Sequence, residues 1–273
     1  MKVDFFFIGP SKTASTWLYQ VLSEHPKFNV PPGKDIYFFD QLYDKGFNWY
    51  HRQFDAPKSG QISGEFSHDY ILSDDALERI CKYNPEAKII ICLRDPFERT
   101  ESGIRFLRRN GRFYQNAREA AERHPELISG SLNGANLQRV YRYFERQNVL
   151  VLEFDLLKHD SGAFLSLVYR FFDADPVHSK RSSQRINAAL EARSTALSIS
   201  VKKLALIARR HGLGRLVGLI KMNPFVKAVL YRKPESKFCL SPDDRNFLAN
   251  YFNDDIDILT RIQNKNYDGW KHE

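Results

Sequence analysis

Three short apolar runs, Val3 to Ile8, Lys88 to Leu93 and Asn148 to Phe154, each stop at a break and give way to a pattern of helical period. Runs this rich in Phe, Ile, Val and Leu suit strands buried on both faces, which a parallel sheet covered by helices provides. Gly9-Pro10-Ser11 breaks the first run and Ser15 to Ser23 reads as a helix; Arg94-Asp95-Pro96 breaks the second and Phe97 to Arg109 reads as a helix. After the third, Ala163 to Phe172 sets Phe164, Leu167, Val168, Phe171 and Phe172 on one stripe. The expected fold class is therefore α/β: a P-loop-like open parallel sheet flanked by helices. Near the end, Ser241-Pro242-Asp243-Asp244 supplies an N-cap, a proline at the first helical position and first-turn acids, which predicts a helix to about Tyr251.

Composition narrows the class. With 42% hydrophobic and 14% aromatic residues, 273 residues can fill a large core, which excludes a disordered chain and is read as a single domain spanning 1–273. No apolar run approaches the roughly 18 to 20 residues of a membrane span, and Val3-Asp4-Phe5 begins with no cleavable leader, so a cytoplasmic protein is expected. Cys81, Cys92 and Cys239 are too scattered for a disulfide framework or a metal knuckle and read as reduced thiols. The net charge of +8 points to an anionic partner, and it is unevenly spread. Residues 192–234 hold ten Lys or Arg and no acid, while the other 230 residues carry a net −2. Leu197, Val201, Leu204 and Ala208 share a helical face there, so the start of this basic segment reads as an amphipathic helix, with further short helices beyond Gly212-Leu213-Gly214, and the segment is expected to cover a site, recruit an anionic acceptor or touch a membrane.

Two loops carry the chemistry. Phe5-Phe6-Phe7-Ile8-Gly9-Pro10-Ser11-Lys12-Thr13-Ala14-Ser15-Thr16-Trp17 ends a buried strand in a small-residue loop with one Lys and opens a helix through hydroxyl residues. Backbone N–H groups at such a helix start converge on an anion, and phosphate or sulfate is the expected guest. The pattern is not GxxxxGK[ST], because Ser11 stands where the second glycine belongs. Downstream, Ile89 to Ser102 puts Arg94 at the carboxyl end of a strand and Ser102 about two turns into the next helix. In an open parallel sheet, ligands bind beyond the carboxyl ends of the strands, so Arg94 and the Lys12 loop can face one crevice.

Together, "PSKTASTWL" and "LRDPFERTES" resemble the two donor-binding signatures of sulfotransferases that use 3'-phosphoadenosine 5'-phosphosulfate. Lys34-Asp35-Ile36-Tyr37-Phe38-Phe39-Asp40 is similar to the KExHFFD run of the carbohydrate O-sulfotransferases, including the heparan-type enzymes, and Gly64 to Tyr70 resembles their GExxPxY element. The departures are Ala14 for a glycine, Tyr37 where the run often has His, and His68 for the proline. The family's third donor-binding element has no clean match; Arg185 or Arg193 near Asn187 is the candidate.

The resemblance implies a sulfotransferase fold and transfer of a sulfuryl group from that donor to a hydroxyl, the expected acceptors being carbohydrates, glycosylated compounds or amphiphilic small molecules. It implies Lys12 beside the bridging oxygen, residues Thr13, Ala14, Ser15, Thr16 and Trp17 around the 5'-phosphosulfate, and Arg94 with Ser102 at the 3'-phosphate. Glu65 is the expected general base, and Lys34 an additional donor or acceptor contact. A transferring sulfuryl group carries less charge than a phosphoryl group, so no metal is required, and no acid is placed like a Walker B residue. The rivals are a P-loop-type kinase, disfavoured by the missing register, and a basic membrane- or nucleic-acid-binding module. No nucleic acid is expected, since the aromatics follow core patterns rather than alternating with surface cations.

Overall fold

The structure, a computed structural model, describes residues 1–177, 179, 191–192, 200–201, 204, 207–208, 231–232 and 237–272. The chain divides into two compact units, one of residues 1–94 with 133–186 and one of 95–132 with 187–273. The first holds a five-stranded parallel sheet in the order β2-β3-β1-β4-β5, with β1 Phe5–Gly9, β2 Phe28–Asn29, β3 Ile62–Phe66, β4 Lys88–Leu93 and β5 Val149–Glu153. Along the chain it contributes α1 Ser15–Glu24, α2 Phe38–Gln41, α3 Gly46–His51 and α4 Asp74–Tyr83. The second unit supplies α5 Pro96–Arg109, α6 Ala117–Arg123 and α7 Glu126–Ser129, and the first resumes with α8 Asn133–Tyr141, α9 Phe154–His159 and α10 Ser161–Phe171.

All five residues of β1 are buried, as its sequence requires of a central strand. Phe5 lies opposite Gly64 on β3, where a Cβ would come 1.9 Å from the Phe5 ring, so only glycine lets that ring lie against the strand. Phe5, Phe7, Trp17, Leu18, Phe28, Phe66, Phe164, Val168 and Phe172 form one core. Each such side chain contributes about 1.5 to 3 kcal/mol by leaving water. From β1 the chain runs through α1 toward the β2 edge; after β4 it reaches β5 at the other edge. The carboxyl end of β1 thus lies at a reversal of strand order, where open α/β sheets bind ligands.

Three expectations change. The run at β5 is half-buried at Leu150, Val151 and Glu153 because β5 is an edge strand, not one covered on both faces. Strands β2 and β3 were not visible as apolar runs, since β3 reads Ile-Ser-Gly-Glu-Phe. The closing helix, Pro242–Gln263, continues past Tyr251 because Leu248, Phe252, Ile256 and Leu259 extend a single buried stripe.

In the second unit that helix opens with a capping box: Ser241 Oγ accepts from the Asp244 N–H at 3.1 Å and Asp244 accepts from the Ser241 N–H at 3.0 Å. A two-residue antiparallel ladder joins Glu191–Ala192 to Tyr231–Arg232. Of the basic segment 192–234, positions 200–201, 204, 207–208 are helical, with Val201 and Leu204 exposed; Leu197, Arg185, Asn187 and Arg193 lie outside the described residues. No described helix is long and apolar enough to cross a membrane. The three cysteines are free thiols.

Candidate functional site

The loop after β1 is packed against the exit of β3. Gly9 has φ +121°, and a Cβ there would sit 2.0 Å from the His68 carbonyl oxygen, so glycine is needed for the backbone angle and for the close approach of the β3 exit. Thr13 is fully buried, and its hydroxyl donates to the Pro10 carbonyl at 2.6 Å. It therefore braces the loop from inside and does not offer its oxygen to a guest. Trp17 also points inward, edge-on to Phe164 at 5.8 Å, which leaves only its backbone N–H at the helix start.

Helix α1 has no side chain capping its N-terminus and no acid in its first turn. The first N–H groups of a helix have no partner within it, so an anion at this end would meet several donors and the positive end of the helix dipole. Lys12 and Ala14 both adopt left-handed backbone angles, φ 71° and 67°. Ala14 thus departs from glycine at a position where the side chain is strained, by about 1 to 2 kcal/mol.

Two cations meet this loop. Lys34 Nζ donates to Ser15 Oγ at 2.9 Å, on the first residue of α1. Arg94, just past β4, donates one N–H to the Lys12 carbonyl at 3.0 Å and lies over the Phe154 ring at 4.2 Å. Its own carbonyl accepts from Asn133 Nδ2 at 2.8 Å. The structure therefore brings Lys12, Ser15, Lys34 and Arg94 together within the first unit. Thr16 and Ala14 are half-buried on the same turn. Ser102 is half-buried on α5, in the second unit, and Arg193 lies outside the described residues.

Glu65, the expected base, sits in the interior of the first unit. It is fully buried on β3, and its carboxylate accepts from Tyr50 OH at 2.6 Å, Ser67 Oγ at 2.5 Å and Tyr70 OH at 2.7 Å. Burial pushes its pKa up to about 7, against the downward pull of those three hydrogen bonds, and the charge of Asp40 adds to the rise.

A different acid, not singled out from the sequence, sits by the loop. Asp35 is 3.4 Å from Lys34 Nζ, accepts or shares the proton of His68 Nδ1 at 2.7 Å, and anchors its N–H on the Phe66 carbonyl at the end of β3. Its side chain is nearly buried, whereas His68 is one-fifth exposed. His68 Nε2 lies 3.4 Å from Asp69, and the Tyr37 ring meets the imidazole edge-on at 6.1 Å. The KExHFFD-like run has Tyr37 at its His position, and a histidine at residue 68 meets the acid of that run, Asp35. Four of the six non-glycine residues with positive φ among those described, Lys12, Ala14, Asp35 and Tyr37, belong to these two loops. Such strain persists only where surrounding contacts impose it, and it gathers at functional sites. Among the described residues no cluster of three or more His, Cys, Asp or Glu could hold a metal ion.

Comparison with known proteins places the chain in a family. The family described as "Sulfotransferase domain" matches residues 2–194. The bifunctional heparan sulfate N-deacetylase/N-sulfotransferase 4 of Mus musculus is 28% identical over 196 residues, covering 63% of this chain and 22% of that protein. The heparan sulfate glucosamine 3-O-sulfotransferase 5 of Homo sapiens is 27% identical over 183 residues, covering 62% of this chain and 53% of that one. The chain therefore spans between about a fifth and a half of the length of these relatives. The crystal structure of a sulfotransferase from Alicyclobacillus acidocaldarius superposes with a TM-score of 0.69 at 20% identity, covering 99% of both chains, which shows a shared fold.

Proposed function

Because the chain belongs to the sulfotransferase domain family, we propose that it transfers a sulfuryl group from 3'-phosphoadenosine 5'-phosphosulfate to a hydroxyl of a carbohydrate acceptor. The observation that carries this reading is the uncapped start of α1, with Lys12 in the preceding loop and Lys34 bonded to Ser15. Its residues fit a phosphosulfate: N–H donors, hydroxyls and ammonium groups, with no carboxylate in the first turn. The carbohydrate class is supported by the names of the relatives, both of which act on heparan sulfate. A kinase reading loses its ground with the family match, and the GxxxxGK[ST] register is absent.

When bound, the donor supplies the transferable sulfuryl group and a phosphate leaving group. The N–H groups of Ser15, Thr16 and Trp17 and the hydroxyls of Ser15 and Thr16 hold its anionic end. Lys12 supplies the ammonium that offsets charge developing on the leaving oxygen, and Lys34 keeps Ser15 oriented while adding positive charge. Arg94 brings its guanidinium charge to the phosphate, and through the Lys12 carbonyl it also fixes the loop.

His68 is the proton acceptor for the incoming hydroxyl. Asp35 holds its imidazole through Nδ1, and Nε2, 3.4 Å from Asp69, is the nitrogen that takes the proton. The expected assignment of Glu65 is thereby replaced, its carboxylate being occupied with Tyr50, Ser67 and Tyr70. The test is transfer from labelled donor to a panel of glycan and non-glycan hydroxyl acceptors, beside calorimetry with 3',5'-adenosine bisphosphate. Binding of that nucleotide with transfer to glycans is expected. No nucleotide binding overturns the donor, transfer to non-glycans alone overturns the acceptor class, and near-normal turnover of His68→Gln overturns the base.

A further inference from the structure

The parallel register of β4 and β5 sets Leu93 beside Glu153, so the next residues along the two strands, Arg94 and Phe154, leave the sheet as neighbours. Their side chains meet: the Arg94 guanidinium carbon lies over the Phe154 ring, 4.2 Å from its centre. Phe154 opens α9, and its half-buried side chain packs against the core that holds Phe7, Trp17 and Phe164. The fold therefore sets the place of the ring, independently of any ligand. A second cation, Lys158 Nζ, stands farther from the ring at 5.6 Å and is paired with Asp155 at 2.7 Å. A phenyl ring attracts a guanidinium through its π-face and offers no acceptor atom, so it holds the charge without taking a hydrogen bond. Arg94 donates instead to the Lys12 carbonyl at 3.0 Å, and its own carbonyl accepts from Asn133 Nδ2 at 2.8 Å. The backbone, the charge and a hydrogen-bonding edge of this residue are thus each tied to a different neighbour.

We infer that Phe154 is a positioning residue for recognition of the nucleotide 3'-phosphate: its ring holds the Arg94 guanidinium at the carboxyl end of β4, in the pose from which it meets that phosphate. The inference rests on the donor reading above, in which Arg94 serves the 3'-phosphate. Arginine has a long side chain with many rotamers, and a cation that must be ordered when its ligand arrives gives up part of the binding free energy. A ring seated on the core orders it beforehand, so the contribution of Phe154 is read in affinity. Because Phe154 acts through Arg94, that contribution is confined to ligands that carry the 3'-phosphate. An adenine nucleotide with only a 5'-phosphate gains nothing from it.

The experiment is calorimetry of the full chain with 3',5'-adenosine bisphosphate and, in parallel, with adenosine 5'-monophosphate, which lacks the 3'-phosphate. Phe154→Leu keeps an apolar side chain on the core but removes the π-face. It is expected to weaken the bisphosphate about three- to tenfold, the scale of one cation–π contact, and to leave the monophosphate within about twofold of wild type. Phe154→Tyr keeps the ring and is expected to bind both nucleotides within about twofold of wild type. In the Arg94→Ala background, Phe154→Leu is expected to cost the bisphosphate less than about twofold more, since two residues acting through one contact do not add. Should the leucine variant fail to fold, Phe154→Met, unbranched and adaptable in a core, carries the same expectations. Equal losses for the two nucleotides, an undiminished loss in the Arg94→Ala background, or no rescue by tyrosine overturns the inference, because Phe154 would then support the fold and not Arg94. Unchanged bisphosphate affinity in Phe154→Leu overturns it while the donor reading stands. A wild-type chain that binds neither nucleotide overturns the donor reading and this inference with it.

Discussion

Two strand-to-helix turns carry the motifs, and they treat their helix starts in opposite ways. After β1, the chain enters α1 through two left-handed residues and leaves the helix end without a side-chain cap. After β4, Asp95 accepts from the Phe97 N–H at 2.8 Å and the Glu98 N–H at 3.1 Å, with Pro96 at the first helical position. A carboxylate therefore already occupies the start of α5, as an anion would occupy the start of α1. The lesson is that the first turn binds through its backbone, whereas the second contributes through a side chain, Arg94, which reaches back to the first loop. Similar sequence signals, a buried strand followed by a break and a helix, thus hide different electrostatics.

The largest effect is expected at the open turn. Lys12→Ala removes the ammonium offered to the leaving oxygen, and transfer should fall about 1000-fold, the scale of losing one preorganised donor in a transition state. Lys12 is half-exposed, so its loss should leave thermal stability close to wild type. A rate within tenfold of wild type, roughly 1.4 kcal/mol, would break the comparison at its functional end.

Arg94→Ala should come next, because it acts on both turns. It deletes phosphate donors and also the brace on the Lys12 carbonyl, and a charge-assisted bond of this kind contributes about 1.5 to 3 kcal/mol. Affinity for 3',5'-adenosine bisphosphate should drop by about ten- to a hundredfold in calorimetry. Arg94→Lys should recover only part of it, since a point charge cannot serve the carbonyl and a phosphate from one planar fork. Full recovery by lysine would mean that charge alone matters there.

How much of this could be read from the sequence follows from where each interaction partner lies in the chain. Strands β1 and β4 declare themselves because burial on both faces leaves unbroken apolar runs. Strand β3 is just as buried over Ser63 to Phe66, yet it carries Ser, Gly and Glu, and its polar groups are satisfied by Tyr50 and Tyr70 from outside the strand. No local pattern announces that. For the same reason the motif shows the Glu65 carboxylate but not the three hydroxyls around it. Lys34 beside Ser15 and His68 against Asp35 are pairings across 19 and 33 residues, and both depend on parallel strands ending side by side. Lys12, Arg94 and the 34–40 run, picked out by their motifs, all lie in the first unit, whereas the pairing of Asp35 with His68 shows only in the folded chain.

The closed turn yields a smaller effect. Asp95→Ala unties two N–H groups at the start of α5 and should cost about 1 kcal/mol of stability, read as a lower denaturation midpoint. Asp95→Asn should restore most of it, because an amide oxygen caps nearly as well. Nucleotide affinity unchanged in Asp95→Asn would sharpen the contrast, marking this helix start as structural. A gain in affinity from either variant would instead mean that the Asp95 carboxylate repels the nucleotide.

Ala14→Gly tests the open turn in the opposite direction and should have the smallest effect. At φ 67° the alanine methyl crowds its own backbone, a strain of about 1 to 2 kcal/mol that glycine does not feel. Glycine also gains freedom in the unfolded chain, which opposes folding by about 0.4 to 1 kcal/mol. The difference leaves a net stabilisation of about 1 kcal/mol or less, detectable as a small rise in melting temperature. Because the change adds no charge and removes no donor, nucleotide affinity should stay within about twofold of wild type, less than 0.5 kcal/mol. A fall in stability would mean that the Ala14 methyl makes contacts that outweigh its strain, and the left-handed entry to α1 would then be held by packing rather than imposed on it.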